Sequence, residues 1–250
     1  MKKHILILLL AIFPATTFAS SGVHLDSAKI DIYDKDSIKR GAKSFADYCF
    51  SCHTAQFMRF NRIAKDTGMS EAEVREMMIF TRDKKGEATK TGDLMTVAMT
   101  KDYAKNAFGT AVPDITLTAR SRGADWLYTY LRTFYADANR PTGMNNVTFP
   151  DVAMPHVLWE LQGIKKPVYV TEDHDGVSVE RIGSFETVQA GSMTEEEYDA
   201  FVADLVNFMV YLAEPVQAER RDLGWKVLIY LAIFFVFAYL LKKEYWKDIH

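Results

Sequence analysis

The sequence predicts a mainly α-helical chain carried on a single C-terminal membrane helix. Three observations predict it. Apolar residues recur at helical spacing in segments that carry helix caps. The first nineteen residues have the layout of an export signal. The segment Gly224–Leu241 is an apolar run with one charge, Lys226, near its outer edge. Of the 250 residues, 48% are hydrophobic and 25% charged, which suits one sizeable folded domain with a membrane attachment. Gly and Pro are not enriched, and no fixed-period repeat supports a solenoid or propeller.

The N-terminus is basic at Lys2 and Lys3, and Ile5–Phe13 is apolar but too short to span a bilayer. Thr17-Phe18-Ala19 places small residues for cleavage after Ala19. Residues 1–19 are therefore expected to be a signal peptide, and 20–223 the exported domain. Residues 37–49 follow as a helix, with Ser37 as cap and Ile38, Ala42, Phe45 and Cys49 on one face. Ser70 and Glu73 form a capping box that opens the helix of Met77 and Met78. Met95 and Met99 are spaced like one helix face. Residues 123–135 read as a helix presenting Trp126, Leu127, Tyr130, Leu131 and Phe134. Residues 165–185 alternate as a small hairpin around Asp175-Gly176. Thr194 and Glu197 form a second capping box, opening an amphipathic helix over 194–213 that Pro215 ends.

A short link, 216–223, then leads to the span at 224–241. As a helix that span is about 27 Å long, enough for a bilayer core. Trp225 stands at one end and Tyr245 and Trp246 at the other, where aromatic belts belong. Lys242, Lys243 and Lys247 favour a cytoplasmic tail over 242–250, and an exported body requires the same orientation.

Charge is unevenly divided. Residues 20–140 carry 19 basic and 16 acidic side chains, a net of +3. Residues 141–223 carry 5 basic and 15 acidic, a net of −10. An acidic second half argues against nucleic acid and for a basic soluble partner.

The chemistry is concentrated in Tyr48–Gln56, "YCFSCHTAQ". It holds both cysteines of the chain, Cys49 and Cys52, with His53 directly after. No βαβ context supports a thioredoxin-like pair, and three ligands without a second Cys/His pair do not make a structural zinc site. Cys-x-x-Cys-His is the attachment signal for c-type haem. The spacing places both sulfurs on one side of a turn, where each thiol adds to one porphyrin vinyl group. His53 then serves as the proximal iron ligand. One motif implies one covalent haem c.

The second axial ligand belongs on a constrained loop facing His53. In "FPDVAMPHVLW", Pro150 and Pro155 prevent a regular helix through Met154. Met154 is the first candidate, and Met144, His156 and Met193 remain as alternatives. Arg120 and Arg122, in "VPDITLTARSR", can neutralise haem propionates. With both axial positions filled, the iron transfers electrons rather than binding substrate.

These residues resemble the cytochrome c1 family, the haem c subunits of ubiquinol–cytochrome c reductase complexes. The likeness runs over "GVHLD" at 22–26, "RGAKSFADYCFSCHT" at 40–54, "VPDITLTARSRG" at 112–123, "YLRTFY" at 130–135, "MPHVLWELQG" at 154–163 and "YLAEP" at 211–215. The resemblance implies a cytochrome c-type haem domain with insertions. It implies His53 and Met154 as the axial pair, Arg120 at a propionate and Pro113 packed on the haem. It further implies cytochrome b and the Rieske iron–sulfur protein as partners in a bacterial inner membrane, a periplasmic haem domain, and a cytochrome c as acceptor. Ala111-Val112 stands where the family often has a second proline before Pro113. A free-standing anchored cytochrome feeding a terminal oxidase is the alternative, and a haem peroxidase is disfavoured by the single motif.

Overall fold

The computed structural model describes residues 23–83, 85–174 and 177–248. The signal-peptide segment 1–19, the hairpin tip Asp175-Gly176 and His250 lie outside the described residues. Nine helices and six strands follow one another among those described. They are α1 (Lys35–Tyr48), β1 (Ala55–Arg59), α2 (Phe60–Thr67), α3 (Glu71–Met78), β2 (Leu94–Met95) and α4 (Lys101–Phe108). Then come α5 (Thr118–Arg122), α6 (Ala124–Arg132), β3 (Phe134–Ala136), β4 (Met144–Asn146) and α7 (Trp159–Gln162). The hairpin β5 (Gly163–His174) and β6 (Val177–Ala190) leads to α8 (Glu195–Ala213) and α9 (Gln217–Tyr245).

The frame of the domain is the crossing of α1 and α8. Ile38, Ala42 and Phe45 on α1 are buried against Leu205, Phe208 and Leu212 on α8. The ring centroids of Phe45 and Phe208 lie 5.3 Å apart. Gly41 sets the closeness of the crossing, because a Cβ there would collide with the Asp204 carbonyl and the Phe208 Cβ. Arg40 forks onto the Asp204 carboxylate at 2.6 and 3.0 Å beside it. Buried Asn207 donates to the Asp31 carbonyl and the Ser37 hydroxyl, tying the N-terminal segment to α8.

Both capping boxes form, at Ser70/Glu73 and Thr194/Glu197. The cap of α1 is Asp34 rather than Ser37. The Asp34 carboxylate accepts from the amides of Asp36 and Ser37, so Ser37 falls inside the helix. Helix α6 stops at Arg132, three residues before the expected end. The chain turns there because Phe134–Ala136 pairs with Met144–Asn146, an exchange of helix for long-range strand bonds. Met95 lies on strand β2, paired with β1, so Met95 and Met99 share no helix face.

The hairpin is longer than 165–185. Its antiparallel register runs from Gly163 opposite Ala190 to His174 opposite Val177, with two irregularities. The link is helical from Gln217 and continuous with the span, so α9 has 29 residues and a length of about 44 Å. No residue of α9 is buried, and Leu228, Ile229, Phe234, Phe235 and Phe237 leave apolar side chains exposed on every face. A helix apolar all round and exposed is stable only in lipid. Its foot is fixed to the domain, since Tyr33 donates to Asp222 at 3.0 Å and Arg220 forks onto Glu214.

Candidate functional site

Cys49 caps the C-terminus of α1, and the chain makes one further closed turn. The amides of Cys52 and His53 both return to the Cys49 carbonyl, at 3.1 and 2.9 Å. Hydrogen bonding alone therefore winds the two cysteines and the histidine into one turn, as their spacing predicts. Cys49 is buried and Cys52 half-buried.

His53 is oriented by the chain sixty residues on. Its Nδ1 lies 2.9 Å from the Pro113 carbonyl, which assigns the proton to Nδ1 and leaves Nε2 as a free lone pair. Burial lowers the His53 pKa and keeps the ring neutral, the form that ligates a metal. The Pro113 segment is itself clamped. Asp114 accepts from the Thr54 hydroxyl and the Gln56 amide at 2.7 Å each, and from the Thr116 hydroxyl at 2.7 Å and the Thr116 amide at 3.0 Å. The Ile115 amide adds a bond to the Thr54 carbonyl at 3.0 Å. Burial pushes the Asp114 carboxyl up, but these bonds outweigh it and hold the group below its ordinary value.

The turn faces a cleft of about 450 Å³ lined by Cys49, His53, Pro113, Trp126, Tyr130 and Met154, with Met209 of α8 at its back. A smaller lobe of about 90 Å³ adjoins it, lined by Cys49, Cys52, His53, Pro113 and Met154. The size lies in the usual range for cofactor sites. Its walls are mainly apolar and aromatic: Trp126 and Tyr130 stack with centroids 5.0 Å apart, and Phe149 meets Trp126 edge-on at 6.3 Å.

The structure brings His53 and Met154 to one cleft, together with Cys49, Cys52 and Pro113. The other axial candidates are placed elsewhere. Met144 is on β4. Met193 faces a separate polar pocket beside Arg132. His156 is buried, with its ring stacked on Phe134 at 4.9 Å, and burial drops its pKa to about 4.

Arg120 stands off the cleft, two-thirds exposed, with its guanidinium 4.0 Å from Glu214 at the foot of α9. Arg122 instead lines the cleft, its guanidinium 5.0 Å from the Trp126 ring centroid and 5.9 Å from that of Phe149.

The Met154 loop is shaped by two buried asparagines. Asn146 Oδ1 accepts from the amides of Thr148 and Phe149, and its Nδ2 donates to the Tyr130 carbonyl. Asn145 Oδ1 accepts from the amide of Asp151, whose φ is +62°. The Tyr130 hydroxyl donates to the Met154 sulfur at 3.3 Å. Sequence reasoning missed both the asparagines and this bond. The Asp114 clamp had a signal, since Asp followed two residues later by Thr is an Asx pattern.

The donor set fits a c-type haem. A neutral imidazole with Nε2 free, two thiols on one turn and a thioether share an apolar cleft. The Cytochrome C1 family profile matches residues 26–249 of the chain. The chain belongs to the cytochrome c1 family. It is 47% identical over its whole length, and that of its relative, to "Cytochrome c1" of Allochromatium vinosum. It is 53% identical to a protein of Nitrosomonas europaea named "Ammonia monooxygenase gamma subunit", over 97% of each chain. "Cytochrome c1" of Rhodospirillum rubrum is 23% identical, over 87% of this chain and 83% of that one. As a cytochrome c1 family member the chain carries one covalently bound haem c and is an electron-transfer subunit of a bc1-type complex, with α9 as its membrane anchor.

Proposed function

We propose that the protein passes single electrons from a Rieske iron–sulfur protein to a cytochrome c, within a quinol-oxidising complex that also contains cytochrome b. The observation that carries the reading is the convergence of His53 and Met154 on one apolar cleft whose rim holds Cys49 and Cys52. Cys49 and Cys52 would hold the haem through thioethers, and His53 and Met154 would ligate its iron. When bound, haem c supplies a one-electron iron(III)/iron(II) couple.

The protein's own work is to hold that group still and dry. The Pro113 carbonyl fixes the His53 ring and its tautomer, with Asp114 clamping the loop behind it. Trp126, Tyr130 and Phe149 exclude water from the cleft. Pro113, which lines the cleft, would pack on the haem, and the haem propionates would meet arginine charge. Arg120 is the residue the family resemblance nominates, and Arg122 is the one whose position on the cleft supports the same role.

In this reading the haem domain lies in the periplasm and residues 242–250 in the cytoplasm, with residues 1–19 removed as a signal peptide. The lysines after the span and the apolar run near the N-terminus support this orientation. The net charge of −10 over residues 141–223 steers a basic acceptor.

Purification in mild detergent, with mass analysis of the co-eluting chains, tests the assembly. Recovery of a cytochrome b and an iron–sulfur protein is expected, and solitary elution would leave a free-standing cytochrome that feeds an oxidase. The likeness to a protein named as an ammonia monooxygenase subunit supports a second reading, a haem subunit of a monooxygenase assembly. Its outcome in the same experiment is co-elution with monooxygenase chains in place of cytochrome b. An acceptor reduction rate that does not change between low and high salt would remove the steering role.

A further inference from the structure

We propose that Tyr130 is a positioning residue for the iron couple, and that its hydroxyl holds the Met154 sulfur and raises the reduction potential. The inference rests on Met154 as the axial ligand.

The geometry is specific. Tyr130 is buried at 9% exposure, and its hydroxyl lies 3.3 Å from Met154 Sδ, within range for a bond to sulfur. No other acceptor for that hydroxyl is found among the described residues. A buried phenol ordinarily finds an oxygen or nitrogen partner, and a thioether is a weak acceptor. A phenylalanine would fill the same volume, so packing alone does not call for a tyrosine here.

The ring has little freedom to aim elsewhere. Trp126 stacks on it at 5.0 Å and 9°, and Phe134 meets it edge-on at 5.1 Å and 68°. Its own carbonyl accepts from Asn146 Nδ2 at 2.7 Å. Asn146 also shapes the start of the Met154 loop, so one residue joins the donor and the loop that carries the acceptor.

The consequence follows from the electronics of a thioether. Sulfur has two lone pairs. With one directed at a metal, the other can accept the Tyr130 O–H. That bond withdraws electron density from sulfur and weakens its donation. Ferric iron depends on donation more than ferrous iron, so the bond favours the reduced state and raises the potential. It also selects which lone pair is free to face the iron.

The test uses the full chain in detergent, loaded with haem. Tyr130→Phe keeps the ring and removes only the hydroxyl. The variant is expected to retain covalent haem, melting temperature and the methionine–iron charge-transfer band, while its midpoint potential falls and the band shifts in wavelength. An unchanged potential and an unchanged band in Tyr130→Phe would overturn the inference, even with Met154 confirmed as ligand. Met154→Leu, measured alongside, separates the two readings. Loss of the band in that variant supports the axial assignment. Its retention would overturn the assignment, and with it the role of Tyr130.

Discussion

The two walls of the cleft are built in opposite ways. The His53 wall is nearly all one piece of chain. The three functional residues lie within five positions and are wound into a turn by bonds to a single carbonyl, that of Cys49. A second segment, Pro113–Thr116, then braces it from outside. The Met154 wall has no such local unit. Its loop takes shape from Asn145 and Asn146 on β4, from Tyr130 on α6 and from the stacking of His156 on Phe134. One wall positions His53 by winding a short sequence. The other positions Met154 by agreement among elements up to about twenty-five residues apart. The first is expected to fail all at once and the second by degrees, and substitutions on each side can measure that difference.

The largest effect belongs to the wound turn. Replacing Cys49 or Cys52 by Ser removes a thioether, and replacing both is expected to abolish covalent haem. Haem staining after denaturing electrophoresis reads the loss directly, and full retention in the double variant would remove the motif from its role. On the opposite wall, Asn146→Ala is expected to loosen rather than abolish. It leaves the amides of Thr148 and Phe149 without their partner and takes the stronger of two bonds from the Tyr130 carbonyl, at a fully buried position. A cost of about 2–4 kcal/mol follows from several buried groups left unmade. Thermal melting should show it, with covalent haem intact and the methionine–iron band weakened. A band of full strength would show that Asn146 serves stability alone.

The frame common to both walls gives a third, intermediate effect. Gly41→Ala would drive a methyl group into the Asp204 carbonyl and force α1 away from α8. Overpacking of this kind costs about 1–3 kcal/mol. Since α1 delivers the turn and α8 backs the cleft at Leu205 and Met209, the strain should fall on both walls alike. A drop in melting temperature with an unaltered haem spectrum is the expected outcome. A change confined to the Met154 band would mean that the frame couples to one wall only.

The same asymmetry explains what could be read from residues alone. The helices framing the cleft were legible because caps and apolar spacing are local: Ser70/Glu73 and Thr194/Glu197 both cap as their spacing requires. The end of α6 was not legible. The pattern Trp126, Leu127, Tyr130, Leu131, Phe134 continues smoothly past Arg132, and only pairing with Met144–Asn146 interrupts it. At the site, Cys49, Cys52 and His53 announce themselves by spacing. Met154 was singled out by the prolines on either side of it, and it lines the same cleft as His53. Its neighbours Tyr130 and Asn146 were not, because nothing in a sequence says that a hydroxyl and a sulfur 24 residues apart will meet. Arg120 and Arg122 could not be told apart for a related reason. They lie on one five-residue helix, and nothing in their spacing says that Arg122 lies over the Trp126 and Phe149 rings while Arg120 stands near Glu214.

The smallest effect tests the brace behind His53. In Asp114→Asn one oxygen remains to accept, while the new amide nitrogen cannot, so the bonds from Thr116 or those from Thr54 and Gln56 are lost. The site is half-buried, and a cost of about 1–2 kcal/mol is expected. The sign of the pH dependence checks that the carboxylate is the cause. Its folded pKa is depressed, so its contribution is present above the ordinary carboxylate range and is lost as pH falls through the folded value. The parent protein should therefore lose stability relative to Asp114→Asn as pH is lowered below about 4, and the two melting curves should converge. A gap that stays constant across that range would show that the charge on Asp114 contributes nothing and that the brace acts by shape. Convergence with the methionine–iron band unmoved would show that a brace on the His53 wall can be weakened without disturbing the other.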